Sequence, residues 1–243
     1  MSEALDPRLF APGPARDARF DVKDTHAEMV NLPEGHPERT REFLHRQMNE
    51  EINGLEMSAR NLAEFPDAPW ELRLAMARQC WDEARHVDMF RRAFEHRGGT
   101  VGQYPVLNFQ FRLVTRIESL VGRLAVQNRS FEAAGIDAIQ ESILESARRG
   151  GQDDLDELFD AQLPDEVQHV RYANVWVKEL LKRQGPRGLF DLTRAVSQAN
   201  EAMRIVAGEG AMTYPVADDI RREAGFTDEE IEAARAQVAV SGL

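Results

Sequence analysis

From about residue 37 onward, apolar residues recur every three or four positions along stretches free of proline and glycine, the mark of helices that bury one face. The pattern predicts four long helices, at about 37–64, 68–97, 108–149 and 153–184. The breaks have chemical causes. Pro66 and Pro69 in "EFPDAPW" cannot continue a helix. "RGGTVGQYP" separates the second helix from the third, and "RGGQDD" joins a glycine stop to an Asp cap. Short, long and short connections suit an all-α, antiparallel four-helix bundle with a crossover between helices 2 and 3. A fifth helix follows "QGPRG" near 187–207, and Thr227 with Glu230 in capping-box spacing opens a last short one. No sustained alternation of β-branched residues predicts a sheet. Residues 1–36, rich in Pro, Asp and Gly, read as an extended arm packed on the bundle of 37–184. Residues 185–243 then form a helical C-terminal extension of the same domain.

Acids interrupt these apolar stripes at particular places. In "CWDEARHVDM", Glu83 and His86 share a helical face with Met76, Gln79, Cys80, Val87, Phe90 and Phe94, while Arg85 and Asp88 face the other way. A solvated face does not explain an inward carboxylate, which is costly when unpaired. In "DAQLPDEVQHV", Glu166 and His169 lie on a stripe with Phe159, Gln162, Leu163, Val170, Ala173 and Val177. One Glu-x-x-His is weak evidence, but two copies, each preceded by Asp and each on an apolar stripe, are strong. The other two helices should each add an acid. Glu132 shares a stripe with Val121, Leu124, Ala125, Ile136, Ile139 and Ile143. Glu51 shares one with Leu44, Met48, Leu55 and Leu62, and is preferred over Glu50 and Glu56, whose stripes are more polar.

Four inward carboxylates would repel one another, and two divalent cations would cancel their charge. The expected metal ligands are therefore Glu51, Glu83, His86, Glu132, Glu166 and His169. Oxygen and imidazole donors without thiolate suit iron or manganese. Asp82 and Asp165 each lie four residues before a histidine, where either could accept the second N–H of the imidazole and fix its tautomer. The alternative for Asp82 is an ion pair with Arg78 or Arg85. Tyr172, one turn past His169, reads as a packing or hydrogen-bonding residue, with a redox tyrosine as the alternative, Asp137 as no ligand, and Trp70, Trp81 and Trp176 as packing residues.

Composition narrows the function classes. With 42 Asp and Glu against 30 Lys and Arg, the formal net charge is -12, which repels nucleic acid and anionic membranes. Cys80 is the one cysteine, excluding an internal disulfide, a thiolate zinc site and a rubredoxin-type iron centre. "MSEALDPRLF" lacks the pattern of a signal peptide and no apolar run approaches a membrane span, so a cytoplasmic location is expected.

With these residues in view, the sequence resembles the ferritin-like diiron carboxylate superfamily. "DEARH" is similar to the motif of bacterial multicomponent monooxygenases, with "DEVQH" as its partner. A closer resemblance is to a bacterial ferritin-like family of mostly unassigned function, related to the tRNA-modifying diiron hydroxylase. It is carried by "FLHRQMNEEINGLEM", "FPDAPWELRLAMARQCWDEARHV", "RLAVQNRSFEAAGID", "LPDEVQHVRYANVW" and "YPVADDIRREAGF", and covers roughly residues 38–228. Those relatives usually show His-x-Glu in the first helix, and Asn49 stands at the corresponding place here.

The resemblance implies a ferritin-like fold and two iron ions, with Mn/Fe as the other pairing. It implies an oxidoreductase that activates O₂ to hydroxylate, desaturate or N-oxygenate a small organic substrate. The chain shows no flavin motif and no iron–sulfur cysteines, so electrons are expected from an external reductase or ferredoxin. No nucleic-acid or membrane partner is indicated, and a homodimer is allowed. The alternatives are a ferroxidase or iron-handling protein, which would use the same six ligands, and a metal-free helical scaffold.

Overall fold

The structure, a computed structural model, describes residues 5–33, 35–144, 153–207 and 214–241. These residues are predominantly helical, and no described helix is long and apolar enough to cross a membrane. The chain divides into two compact units, Met1–Leu120 with Ala195–Gly210, and Val121–Arg194 with Ala211–Leu243.

In the first unit, α1 (Arg39–Glu64) and α2 (Trp70–His96) form a helical hairpin. The turn falls at Pro66 and Pro69, where missing N–H groups and fixed φ angles end one helix and admit the next. Glu51 meets His86 and Gly54 meets Glu83, so the two helices run antiparallel. Leu44, Met48 and Met57 of α1 and Leu72, Met76, Phe90 and Phe94 of α2 are buried. Each such side chain contributes roughly 1.5–3 kcal/mol by leaving water, more than helix propensity supplies.

The N-terminal arm lies on this unit. Val22–Lys23 (β1) pairs in parallel with Val106–Leu107 (β2), a two-residue ladder that no sequence alternation announces. Ala11 N–H donates to Arg112 O at 2.8 Å, and Arg112 Nη1 donates to Asp24 at 2.5 Å. Arg16 spans both carboxylate oxygens of Glu56, at 2.5 and 2.6 Å, and donates to Asn53 at 3.0 Å. Asn49 and Asn53 both donate to Leu107 O, at 2.7 and 3.0 Å. Asn49 thus ties the segment between α2 and α3 to α1.

The expected helix of 108–149 is not continuous. It appears as α3 (Phe109–Arg116), a break at 117–119, α4 (Leu120–Val126), a π-turn at Gln127–Glu132, α5 (Ala133–Ala138) and a second π-turn at Ile139–Ile143. Positions 145–149 of that expectation lie outside the described residues. The break has a local cause. Val114, Thr115 and Ile117 are β-branched, Thr115 Oγ1 bonds back to Phe111 O at 2.7 Å, and Ile117 is buried in an extended conformation. Ser119, a residue type favoured as a helix cap, directly precedes α4.

In the second unit, α6 (Asp153–Gln184) carries Pro164 in its interior. It runs antiparallel to the π-turn segment: Arg129 faces Asn174, while Glu132, three residues on, faces His169. Gly185, at φ 59°, closes α6 with its N–H on Leu181 O before Pro186 opens α7 (Pro186–Ala207). The short α8 (Asp218–Glu223) and α9 (Asp228–Ser241) fold back over α5 and α6. Ala133, Ile136, Val167, Val170, Ala224, Phe226 and Ile231 form their shared core. Thr227 and Glu230 exchange the two bonds of a capping box, at 2.9 and 3.2 Å.

Asp137 accepts a two-pronged bond from Arg221 and a third from Ala217 N–H. It is a structural acid that ties the C-terminal extension to α5. The tryptophans differ from expectation. Trp70 is 66% and Trp81 68% exposed, and Trp176 is half-buried beneath Arg183. Helical phase places Trp70, Leu74 and Trp81 on the side of α2 opposite Met76, Glu83 and Phe90.

Candidate metal centre

Ligand-type residues approach one another in each unit. In the first, α1 supplies Glu51 and α2 supplies Glu83 and His86, and one ligand atom from each of the three lies within 4.8 Å of the others. His86 Nδ1 stands 3.3 Å from Glu51 Oε2 and 3.5 Å from Glu83 Oε2. All three residues are buried. Gln79, one turn before Glu83, donates its amide to Glu83 Oε1 at 2.9 Å. Gly54 leaves the space that Glu83 fills: a Cβ there would come within 2.9 Å of Glu83 Cδ and Oε1.

The rivals of Glu51 have other surroundings. Glu56 is engaged by Arg16. Burial pushes the Glu50 carboxyl up to about 7, against the opposing pull of Arg46 and Asn53. Asp82 accepts from Arg78 Nε at 3.2 Å and lies 3.5 Å from Arg85 Nη2, the ion pairs named as its alternative.

The second unit repeats the arrangement. On α6, His169 Nδ1 stands 3.5 Å from Glu166 Oε2, and Gln162 donates to Glu166 Oε1 at 3.0 Å. Glu132, half-buried at the end of the first π-turn, brings a ligand atom within 4.8 Å of one on His169. It accepts from Asn128 Nδ2 at 2.7 Å and more loosely from Gln127 at 3.4 Å. A π-turn adds a residue to one helical turn and so re-aims the side chains that follow. Asn128 also reaches Tyr172 Oη at 3.4 Å, which gives that tyrosine a hydrogen-bonding role. Asp165 is half-buried on α6.

These positions fit a metal ion chemically. Two donors each about 2.1 Å from a shared ion, at roughly right angles or slightly wider, stand roughly 3.0–3.5 Å apart. The imidazole–carboxylate separations of 3.3 and 3.5 Å fall in that span. They are longer than the 2.7–2.9 Å or so of a charge-assisted hydrogen bond. All donors are carboxylate oxygen or imidazole nitrogen, the set for a hard or borderline divalent cation.

Gln79, Gln162 and Gly54 were not singled out by sequence reasoning. The signal for the glutamines was present, because the common pattern is longer than Asp-Glu-x-x-His. Both segments read Gln-x-x-Asp-Glu-x-x-His, at 79–86 and 162–169. Gly54 left no such signal, since its role depends on which residue of α2 lies across from it.

A predominantly helical protein with a buried Glu/His cluster able to hold a metal ion is the class that fold and site define. The chain belongs to the family described as "Protein of unknown function (DUF455)", which matches residues 3–232. Neither the curated proteins nor the solved structures contain a match to it.

Proposed function

We propose that this chain is a non-haem dimetal carboxylate oxidoreductase that uses O₂ to oxidise a small organic substrate. The observation that supports it most is the repeated half-site: on α2 and on α6 a buried Glu Oε2 faces the Nδ1 of the histidine three residues on, at 3.5 Å both times. Glu51, Glu83, His86, Glu132, Glu166 and His169 would together hold the two ions. Iron is the preferred metal, as a pair or with manganese, given hard oxygen and imidazole donors without thiolate. A reduced pair of such ions supplies the electrons that activate O₂.

The chain's own residues bind, orient and shield. Carboxylates from four helical segments offset the charge of the ions, and the imidazoles present Nδ1. Buried Phe90, Leu124 and Ile136, on the stripes of the ligand-bearing segments, keep their surroundings apolar. Monooxygenation places one oxygen atom in the substrate and reduces the other to water. That balance requires two electrons and two protons from outside, delivered by a reductase or ferredoxin. The same ligands would serve a ferroxidase. The N-terminal arm packed on α1 and the extension packed on α5 and α6 favour an enzyme, because a storage protein manages with little beyond the bundle, whereas an enzyme needs walls around a substrate pocket.

Anaerobic Fe(II) loading followed by O₂, watched by optical and Mössbauer spectroscopy, tests the reading. Two irons per chain that oxidise together are expected. Fewer than two irons, or unchanged binding in Glu83→Ala and Glu166→Ala, would sink it. A cage-sized particle in size-exclusion chromatography would favour the ferroxidase.

A further inference from the structure

We propose that Gln79 and Gln162 are positioning residues of the metal centre, each holding one oxygen of a ligand glutamate so that the other faces the adjacent imidazole. This rests on the dimetal reading above. Gln79 Nε2 donates to Glu83 Oε1 at 2.9 Å, and Gln162 Nε2 donates to Glu166 Oε1 at 3.0 Å. In both cases the opposite oxygen, Oε2, is the one that stands 3.5 Å from histidine Nδ1. Both amides are buried, Gln79 fully and Gln162 at 3% exposure. The same division of labour thus occurs twice, in separate units, from the same place in the sequence.

The physical reason is rotation. A glutamate side chain has three soft torsions, and its terminal carboxylate turns in a broad, shallow well. A donor one helical turn earlier meets Oε1 from the same helix face, so it moves with the glutamate rather than with a neighbouring element. A buried carboxylate oxygen is costly to leave without a donor, and the amide supplies one. An amide serves where lysine or arginine would not, because it satisfies the oxygen without adding a positive charge that repels the cation. Glu132 is handled differently, with donors from Asn128 and Gln127 on its two oxygens.

The test is cobalt binding by purified full-length protein, titrated in competition with a chelator and followed through the Co(II) ligand-field bands. Gln79→Met and Gln162→Met keep side-chain length and remove the donor. Each should lower Co(II) affinity about 10- to 100-fold and alter the bands, as loss of such supporting bonds does at metal sites. Helical content by circular dichroism should be unchanged. Should a methionine variant not accumulate, Gln79→Leu or Gln162→Leu, which likewise removes the donor and adds no charge, should weaken binding as well. Wild-type affinity and bands in the folded variants, with only the melting temperature of the metal-free protein changed, would overturn the positioning role and leave the metal reading standing. A wild-type chain that binds no Co(II) would overturn both.

Discussion

Gly54 of α1 lies directly against the carboxylate of Glu83 on α2. A Cβ at position 54 would approach Glu83 Cδ and Oε1 to 2.9 Å, closer than real Cβ atoms come to a neighbour. Two effects then oppose each other in Gly54→Ala. Alanine in a helix interior gains roughly 0.5–1 kcal/mol over glycine. The clash is relieved by rotating the end of the Glu83 side chain, which is flexible, at the expense of its bond to Gln79. Gly54→Ala should therefore stay within about 1 kcal/mol of wild type in urea unfolding while losing metal affinity about tenfold or more. Unfolding and metal titration on one preparation check both halves of that expectation.

Metal loading should stabilise the fold, since ions that bind only the native chain add RT ln(1 + [L]/Kd). At a free metal concentration 100 times Kd this is about 2.7 kcal/mol per site. Scanning calorimetry with and without Fe(II) under anaerobic conditions should show a higher Tm that a chelator reverses. Glu166→Ala should respond less.

Arg221 and Asp137 form a buried pair that pins α8 to α5. Removing one partner strands the other charge, so Arg221→Met should destabilise by about 3–5 kcal/mol. The double variant Asp137→Leu with Arg221→Met should lose less than the single one, because neither charge is stranded. Equal losses in denaturant unfolding would argue against this account.

His45 is fully buried among Phe20, Phe94 and Tyr104, and its Nε2 accepts the Gly102 N–H at 2.9 Å. Burial lowers its pKa from 6.5 to about 4. The folded-state pKa lies below the unfolded one, so between these values the unfolded chain binds more protons. Stability is then undiminished above about pH 6.5 and falls as the pH drops from there toward 4. Protonation would also take the lone pair that holds Gly102. Chemical unfolding across this range should show the wild type losing its margin over His45→Phe as the solution is acidified. A margin independent of pH would contradict the neutral, accepting imidazole.

Trp70 and Trp81 stand two-thirds exposed on the outer face of α2. Trp81→Ala should cost no more than about 0.5 kcal/mol, as exposed positions do. Acrylamide should quench the emission lost in a Trp70→Phe/Trp81→Phe variant more strongly than the emission that Trp176 leaves behind.

Much of this protein was legible because local chemistry dictated it. Pro66 and Pro69 had to separate α1 from α2, Gly185 with Pro186 had to separate α6 from α7, and Thr227 with Glu230 capped the last helix as their spacing indicates. The inward phase of Glu83, His86, Glu166 and His169 followed from a helical period of 3.6 residues and the cost of burying charge. That period also misled. It cannot register a π-turn, which changes the residues per turn over a few positions, so the expected helix of 108–149 hid two of them. Nor can it show whether a tryptophan flanking the apolar stripe finds a neighbour.

Outside the segment of 108–144, the sequence by itself determined the helices, their buried faces and which acids and imidazoles lie on those faces, because each of these depends on residues within one or two turns. Only the tertiary structure decided what lies across from them. Arg16 pairs with Glu56 across 40 positions, Arg221 with Asp137 across 84, and Gly54 makes room for Glu83 on a different helix. Such relationships depend on which chain segments pack together and in what register. That is set by the summed burial of the core rather than by any short stretch of residues.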